Sequence, residues 1–599
     1  MQSSHLLIHA LQTAGLVLAN RLSENSSVTV VVLEAGKAHF EDPLVDKIDG
    51  WLQQMMKPDY DWEFFTVPQP HAHDKPARWS RGKGLGGSSA INLLGWTKPE
   101  PADIDAWEKL GNPGWNFKRL HEYIKKAERD VNNTIGTDGE CHCFMDHRST
   151  LIASRPNLSC LCADEHWCRS IVPEGNAYEV GPQTNGAYKI LSSIDPEKGT
   201  RASSVTGYLL PAIHRPNLKV LTEAYVNKFV TRHEGDKLTA TGVEFEHGGN
   251  VYQVHATKEV ILSAGAIKSP NILELSGIGD RRVLEPLGIP VLKDIPGVGA
   301  NVQEHYTLTG LVLGESGERS VQNRWADGTK EMRQAPDAAL SRPAHTSTAT
   351  TKPEEATEAA TYPPGLKEQY DIQLDILRDS QIPDLEIMLL PVSFAAPCKG
   401  LRTYELCSVC SHSTIVIGKP YISLPIVISH PFARGTIHIS SADPKAAPLI
   451  DPRYFEEETE RDILLEGFKF ARKISNTSPF KDLVVAEVLP GPEVTEDRQI
   501  VVFNHVITFI DSAGSLSMMP QDKGGAVDPA LRIYGCKNVR VVDLSVVPLT
   551  VSAHTQGMNA ILITSVNTHL HPAVIVYGLA EMGLFLSPDF EIGNLCAGL

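Results

Sequence analysis

Gly82-Lys83-Gly84-Leu85-Gly86-Gly87-Ser88-Ser89-Ala90-Ile91-Asn92 is a run in which four of eleven residues are glycine and two are serine. Such a run cannot form a packed helix or a regular strand, because glycine has no side chain to pack and too much backbone freedom. Glycine also lets the backbone approach a bulky planar or phosphorylated ligand, which serine hydroxyls and bare N–H groups can line. A tight surface loop is the simpler interpretation of a glycine-rich run. The rest of the chain decides between the two.

The beginning of the chain has the pattern of a strand, a helix and a second strand. Leu6–Ala10 is short and apolar, and Ala14–Leu22 places apolar residues on one helical side. Ser27–Leu33 (SVTVVVL) reads as a buried strand that runs into Glu34-Ala35-Gly36. This order is the βαβ start of a dinucleotide-binding fold. Glu34 lies about 20 residues beyond the turn, where such folds place a carboxylate that binds a ribose hydroxyl.

The phosphate-binding turn of this unit departs from the G-x-G-x-x-G pattern. The pattern falls on residues 10–15, where only the third glycine, Gly15, is present. Ala10 replaces the first glycine, and Gln12 brings a side chain to the position at which a pyrophosphate approaches the backbone. The pattern resumes at Thr13, so an alternative first exon is one hypothesis for the departure. Alone, this segment is weak evidence for a nucleotide site.

A strand-rich stretch in the middle of the chain leads into a second motif. The predicted strands are Leu218–Leu221, Val226–Thr231, Thr239–Glu246, Val251–Ala256 and Lys258–Leu262. The last strand runs into Gly265–Gly279 (GAIKSPNILELSGIG). A buried strand followed by Gly-Ala-Ile is typical of a close-packed strand–helix crossing beside a nucleotide, although plain α/β packing explains it equally well.

Two C-terminal segments complete the set of motifs. His430–Phe455 reads HPFARGTIHISSADPKAAPLIDPRYF, and Gly524–Gln556 reads GGAVDPALRIYGCKNVRVVDLSVVPLTVSAHTQ. Together with Gly82–Asn92 and Gly265–Gly279, they resemble the signatures of the glucose–methanol–choline (GMC) oxidoreductases. The resemblance extends in the family's order over residues 13–128, 200–310, 383–395, 430–455 and 511–556.

The resemblance implies a fold of two interleaved parts. One is an α/β FAD-binding domain, Rossmann-like and of the GMC type; the other is an α+β substrate-binding domain built on an antiparallel sheet. The FAD-binding domain is expected over 1–128, 200–310 and 526–599, and the substrate-binding domain over 129–199 and 311–525. Residues 315–365 are dominated by Thr, Ala, Glu, Pro and Lys, and we interpret them as a loop of the second domain.

The resemblance also implies FAD as the cofactor and assigns residues to it. In the family the glycine-rich run lies along FAD, and an aspartate at the position of Asp543 contacts FAD. The expected cofactor-binding residues are Thr13, Ala14, Gly15, Glu34, Ala35, Trp62, Gly84, Gly86, Ser88, Asn92, Leu93, Leu94, Gly95, Val226, Asp543, Thr555 and Gln556.

Family members oxidise an alcohol: a base removes the hydroxyl proton while hydride moves from carbon to flavin N5. Imidazole suits the base because its pKa lies near working pH. His554 occupies the family's second active-site position, and Asp511 stands where the principal catalytic His is expected, in Asp511–Met518 (DSAGSLSM). An ionised carboxylate can accept a proton but repels an anionic reduced flavin. The implied function is hydride transfer from the CH–OH group of a small-molecule alcohol, as a dehydrogenase or oxidase of secondary metabolism, with His554 and Asp511 as catalytic residues.

Asp511 leaves three interpretations open. His554 acts as the base and Asp511 orients or charge-balances it; or the FAD scaffold carries a changed, non-redox reaction, such as a lyase acting on cyanohydrins; or the enzyme is impaired. A binding or scaffold protein without turnover is the alternative from another class. Residues 557–572 and the cysteine-rich segment 141–168 interrupt the family pattern, as true insertions or retained introns.

The composition of the chain limits the classes of partner that it can bind. The net charge of −17 argues against nucleic acid, which requires clustered Lys and Arg. No apolar run reaches the roughly 20 residues of a membrane span. Cys-x-Cys spacing in 141–168 differs from that of common zinc ribbons, so no metal site is expected. The N-terminus lacks a basic region, which favours the cytoplasm over secretion. The expected partners are an alcohol and an electron acceptor, oxygen or another carrier.

Overall fold

The computed structural model describes residues 4–9, 13–48, 50–55, 57–96, 99–121, 129–130, 144–145, 191–195, 197–315, 363–379, 382–388, 421–477, 481, 484–497, 506–508 and 511–553. The strands in chain order are β1 Ser4–His9, β2 Val30–Leu33, β3 Phe64–Phe65, β4 Arg78–Trp79, β5 Gly95–Trp96, β6 Arg129–Asp130, β7 Phe144–Met145, β8 Leu191–Ser192, β9 Ile194–Asp195, β10 Thr200–Arg201, β11 Leu218–Leu221, β12 Tyr225–Glu234, β13 Lys237–His247, β14 Asn250–Leu262, β15 Ile278–Gly279, β16 Lys293–Asp294, β17 Tyr306–Glu315, β18 Leu385–Ile387, β19 Tyr421–Ile428, β20 Thr436–His438, β21 Leu449–Asp451, β22 Val484–Leu489, β23 Val506–Thr508 and β24 Val539–Val541. The helices are α1 Thr13–Ser23, α2 Pro43–Asp46, α3 Trp51–Gln54, α4 Pro101–Lys109, α5 Leu210–Ala212, α6 Gly265–Leu275, α7 Arg281–Leu284, α8 Leu366–Arg378 and α9 Glu458–Ser475.

A seven-stranded sheet gathers strands from distant parts of the chain. Its path is β11–β2–β1–β14–β13–β12, and β24 pairs in parallel with the end of β14. The pairs β11–β2, β2–β1 and β1–β14 are parallel. β2 is the continuous apolar run VVVL, which suits a strand covered on both faces. The βαβ start predicted from the sequence is therefore present, with α1 between β1 and β2.

The strand β14 belongs to two arrangements at once. Asn250–His255 pairs antiparallel with β13, whereas Val260–Leu262 lies between β1 and β24. The burial pattern follows this division, since Val251 and Tyr252 are exposed and Val260–Leu262 is buried on both faces. The sequence predicted two strands here, 251–256 and 258–262. The structure corrects this to one strand, because the polar residues Thr257 and Lys258, which separate the two predicted strands, are themselves extended.

A second sheet is antiparallel throughout. Its path is β18–β19–β17–β22, and β23 pairs with β17. Helix α9 packs across this sheet through buried Leu464 and Phe468. Gly467 faces the sheet so closely that a Cβ there would lie 2.5 Å from Leu385 Cδ1 and 2.6 Å from Ile426 Cγ2.

Several features predicted from the sequence lie outside the described residues. These are most of the low-complexity loop, the cysteine-rich segment 141–168 except residues 144–145, and residues 557–572. Within the part of the chain that the structure describes, no helix has the length and hydropathy needed to cross a membrane.

The close approach at Gly467 leads to a prediction with two opposed terms. Helix propensity alone makes Gly467→Ala stabilising by about 1 kcal/mol. Overpacking against Leu385 and Ile426 costs about 1–3 kcal/mol. We expect the packing term to exceed the propensity term, so that the apparent melting temperature falls by a few degrees. Glu466→Ala, at the neighbouring exposed position of α9, is the matched control and should change stability by less than about 0.5 kcal/mol. A higher melting temperature for Gly467→Ala would show that α9 is not held this tightly.

Candidate functional site

A cleft opens at the carboxyl ends of the parallel strands. Open α/β sheets bind their ligands at this edge. Four residues predicted from the sequence line the cleft together: Glu34, Ala35, Trp62 and Val226. They come from the ends and beginnings of different strands, so only the folded sheet brings them into one place. Small side chains at Ala224 and Ala264 widen the space.

Two charged side chains give the cleft its polarity. Glu34 is buried, and its carboxylate accepts a hydrogen bond from the Gly36 N–H at 2.7 Å. Lys268 donates to the Tyr225 hydroxyl at 3.2 Å, and its Nζ lies 5.5 Å from the centre of the Trp62 ring. Burial lowers the pKa of Lys268 to about 8, so the amine is mostly protonated at neutral pH. The cleft therefore offers a hydrogen-bond acceptor and a cation within apolar walls.

The glycine-rich run folds against the turn that follows β2. A Cβ on Gly36 would lie 2.3 Å from the Gly84 nitrogen, and a Cβ on Gly82 would lie 2.2 Å from the Gly87 oxygen. Gly84 and Gly86 also have φ values of +134° and +92°, in the region that favours glycine. The neighbours that require glycine are therefore backbone atoms of the protein itself, and the run is a tightly folded element that borders the cleft at Gly82.

Helix α1 begins beside this run. Thr13, Ala14 and Gly15 are its first residues, all buried, and the Thr13 hydroxyl donates to the Gly86 carbonyl at 3.2 Å. Within the run, the Ser88 hydroxyl accepts from the Gly82 N–H at 3.2 Å. The two predicted cofactor segments, the α1 start and the glycine-rich run, are thus joined directly. Residues 10–12 lie outside the described residues.

Arg201 holds the end of the glycine-rich run, and sequence reasoning missed it. Its guanidinium donates to the Asn92 carbonyl at 2.7 Å and to Asn92 Oδ1 at 2.6 Å. Burial lowers the pKa of Arg201 to about 9. Leu93 and Leu94 are buried, and Gly95 begins β5. Leu94 has a φ of +68°, an uncommon conformation for a branched residue and one that clusters at functional sites. The lone arginine in GTRASS carries no sequence signal of this role.

The Asp543 carboxylate is engaged by protein donors. It accepts hydrogen bonds from the Gly265 N–H at 2.9 Å, the Ser269 hydroxyl at 2.6 Å and the Ser545 N–H at 2.8 Å. Burial raises the pKa of Asp543, and these hydrogen bonds oppose that effect. Asp543 thereby ties the end of β24 to the start of α6. Its predicted contact with FAD stays a prediction.

Asp511 lies at a second buried position, beside a histidine that the sequence analysis passed over. His305 Nδ1 is 3.4 Å from Asp511 Oδ2. His305 Nε2 is 3.1 Å from the Ser429 carbonyl and 3.2 Å from the Thr550 hydroxyl. The signal available in the sequence was the polar run Gln303-Glu304-His305 directly before an apolar strand. Polar side chains at such a position are buried only where they find hydrogen-bond or ionic partners.

Two further charges surround this position. Glu304 Oε1 accepts from the Asp511 N–H at 2.9 Å, and Glu304 Oε2 lies 3.9 Å from an Arg81 nitrogen. Arg81 also donates to the Ser512 hydroxyl at 2.5 Å. Burial lowers the pKa of Arg81, while Glu304 and Asp511 act to raise it.

The turn 548–553 is anchored from helix α4 and from Gln303. The Asp103 carboxylate accepts from the Ser552 N–H at 2.7 Å and lies 2.8 Å from His430 Nε2. One helical turn further along α4, the Trp107 indole donates to the Leu549 carbonyl at 2.9 Å. Gln303 accepts from the Thr550 N–H at 3.0 Å. The predicted residues His554, Thr555 and Gln556 follow this turn and lie outside the described residues, so their roles stay predictions.

The cleft and its surroundings fit FAD. Glu34 supplies an acceptor at the carboxyl end of β2, where dinucleotide folds bind a ribose hydroxyl. The glycine-rich run borders the cleft at Gly82 and contacts the start of α1 through Thr13. An extended dinucleotide requires such neighbouring segments.

Comparison with known proteins agrees with this fit. Family models described as GMC oxidoreductase match residues 19–307 and 431–562. The GMC oxidoreductase family protein Mala s 12 of Malassezia sympodialis is 32% identical over 624 residues, covering 97% of this chain and 91% of the relative. Dehydrogenase mpl7 of Monascus purpureus is 32% identical over 586 residues, covering 90% and 92%.

The fold is shared with solved structures. A fungal aryl-alcohol oxidase superposes with a TM-score of 0.74 at 22% identity, covering 98% of this chain and 99% of that chain. The fold class and the cofactor expected from the sequence are confirmed at the level of the family. The chain belongs to the GMC oxidoreductase family and is an FAD-dependent oxidoreductase.

Proposed function

We propose that this protein oxidises the CH–OH group of a small-molecule alcohol where Asp511 and the turn 548–553 meet. FAD, when bound, supplies the oxidising group that accepts hydride. The chain's own residues hold the cofactor, position the alcohol and take up its hydroxyl proton.

One observation carries the proposal: the His305 imidazole contacts both segments assigned to the active site. Nδ1 faces Asp511, and Nε2 faces Thr550, four residues before His554. These segments are separated by 39 positions in the sequence (550 minus 511). A shared buried contact at one imidazole supports a common site built from both.

We assign proton acceptance to His554 and a supporting role to Asp511. The anchors on the preceding turn support this assignment, because Asp103 and Trp107 fix residues 549–552 from one face of α4. A general base must be held within hydrogen-bond reach of the proton that it removes. The described turn that leads to His554 is held in this way, and that His554 acts at its end is the proposal.

The residues proposed to hold FAD fall in two groups. Glu34, Ala35, Trp62 and Val226 line the cleft and would hold the adenosine half. The start of α1 and the run from Gly84 to Gly95 would hold the remainder, with Arg201 keeping Asn92 in place. We propose that residues 1–128, 200–310 and 526–599 form the cofactor domain, and that 129–199 and 311–525 form the substrate domain.

The relatives support the class of substrate. One is named a dehydrogenase, and a protein of the same fold is named an aryl-alcohol oxidase. We therefore propose an alcohol of secondary metabolism, with oxygen or another carrier as the electron acceptor.

A second candidate function follows from Asp511. A carboxylate in place of the principal histidine favours an impaired or non-redox, lyase-like protein on the same scaffold, because an added negative charge disfavours the anionic reduced cofactor. The two candidates differ in whether an alcohol reduces the bound FAD.

Reduction of the bound cofactor by alcohols tests the proposal. We expect the purified protein to show the visible flavin band, and the band to bleach when primary and secondary alcohols, aliphatic and aromatic, are added without oxygen. Dithionite, which reduces the flavin regardless of the active site, is the positive control. A flavin that dithionite bleaches but no alcohol bleaches contradicts alcohol oxidation and supports the second candidate.

Asp103→Asn tests the anchored turn. The loss of a charge-assisted hydrogen bond to Ser552 is worth about 1.5–3 kcal/mol, so kcat/KM should fall about 10- to 100-fold while FAD stays bound. Asp105→Asn on the same helix, whose carboxylate accepts from the Phe117 N–H, is the matched control and should keep its activity. Equal kcat/KM in Asp103→Asn and the wild type would remove the turn from the mechanism.

A further inference from the structure

The Lys268 amine carries hydrogen-bond donors that the protein itself does not use. Lys268 is partly buried, lines the cofactor cleft and donates to the Tyr225 hydroxyl at 3.2 Å. That hydroxyl gives its own proton to the Pro444 carbonyl at 2.5 Å, so it can only accept from Lys268. Among the described residues this is the one hydrogen bond of the amine. A protonated amine therefore keeps two N–H donors for a ligand, and a neutral amine keeps one.

The other neighbours of the amine are aromatic. Its Nζ lies 5.5 Å from the centre of the Trp62 ring, 5.6 Å from that of Phe64 and 5.7 Å from that of Tyr225. Asp443 acts to raise the pKa of Lys268 but forms no ion pair with it in the part of the chain that the structure describes. Aromatic faces attract a cation but accept hydrogen bonds only weakly, so they leave the N–H donors available.

The position of Lys268 in its helix is unfavourable for a cation. Lys268 lies in the first turn of α6 (Gly265–Leu275), at the positive end of the helix dipole, and that turn holds no acidic residue. Cations are stabilised at the opposite end of a helix. An apolar side chain would pack among the three rings without this cost. A residue that breaks a local rule in this way is typical of a functional site.

The neighbours of Lys268 in the cleft indicate which ligand atoms it meets. Glu34, Ala35, Trp62 and Val226 line the same cleft and are proposed to hold the adenosine half of FAD. An ionised Glu34 only accepts, which suits a ribose hydroxyl. Adenine instead presents ring nitrogens that only accept, and Lys268 supplies the donor that such a nitrogen needs.

We propose that Lys268 is a further cofactor-binding residue, which donates a hydrogen bond to a ring nitrogen of the FAD adenine. The inference rests on the proposed placement of the adenosine half in this cleft. It makes Lys268 a determinant of the preference for FAD over FMN, because FMN lacks the adenosine half.

Lys268→Met tests this role through the dissociation constants of FAD and FMN from the apoprotein, followed by flavin fluorescence. Methionine has a similar length, packs well against aromatic rings and leaves the hydrogen bond from Tyr225 to Pro444 in place. We expect FAD to bind about 10- to 100-fold more weakly, because one charge-assisted hydrogen bond is lost, and FMN to bind as it does to the wild type. Lys445→Met, from the exposed pair with Glu246, is the matched control and should keep the wild-type affinity for FAD.

ADP, which competes with FAD through the adenosine half, tests the contact itself. Its affinity should fall in Lys268→Met by the same factor as that of FAD. ADP analogues in which one ring nitrogen of adenine is replaced by C–H complete the cycle. One of them should bind the wild type more weakly than ADP does, yet bind Lys268→Met as well as ADP does. A role of Lys268 in packing alone predicts no such coupling.

The measurements decide the inference in every case. Wild-type affinity for FAD in Lys268→Met, an equal loss for FAD and FMN, or the absence of coupling with every analogue overturns it; if FMN binds too weakly to measure, ADP and its analogues decide. Glu34→Gln separates the residue from the site: if this variant binds FAD weakly and Lys268→Met does not, the adenosine half lies in the cleft without using Lys268. Reduction by alcohols enters none of these measurements, so failure of the inference is distinguishable from failure of the proposed function.

Discussion

The contact between the Gly36 turn and the Gly84 backbone is the constraint on which the cofactor site depends. The two backbones approach so closely that a Cβ on Gly36 would lie 2.3 Å from the Gly84 nitrogen. The Leu85 N–H donates to the Lys37 carbonyl at 3.0 Å in the same place. This contact presses the glycine-rich run against the carboxyl end of β2, where Glu34 lines the cleft. From there Thr13 and Arg201 extend the arrangement to α1 and Asn92.

The second constraint is the burial of Asp511, the residue proposed to support catalysis. Asp511 is fully buried, its N–H donates to Glu304 at 2.9 Å, and its carboxylate lies 3.4 Å from His305 Nδ1. Buried polar groups need such partners, and Arg81 lies 3.9 Å from Glu304 in the same place. The proposed function depends on these contacts, because His305 also contacts Thr550 in the turn 548–553.

The sequence predicted the parts of this protein that local pattern and family resemblance encode. The βαβ start, the cleft residues Glu34, Trp62 and Val226, and the family itself could all be predicted. The contacts of Arg201 and His305 could not, because their partners Asn92 and Asp511 are 109 and 206 positions away, although the polar run at 303–305 marked His305 as a candidate. The glycines were interpreted as room for a ligand, whereas the structure shows that neighbouring backbone already occupies the space beside Gly36 and Gly82. Such close approaches depend on tertiary packing, which one sequence does not reveal.

The affinity of the Gly36→Ala variant for FAD tests this account most directly. The backbone conformation of Gly36 accepts alanine, so the substitution acts only through the contact with Gly84. The measurement is the dissociation constant of FAD from the apoprotein, followed by flavin fluorescence. Gly288→Ala is the control for backbone strain without a close contact, because Gly288 has a φ of +71° and no neighbour within 4 Å. We expect Gly36→Ala to weaken FAD binding at least tenfold, about 1.4 kcal/mol, while Gly288→Ala binds as the wild type does. Wild-type affinity in a folded Gly36→Ala protein would contradict the claim that this contact builds the cofactor site.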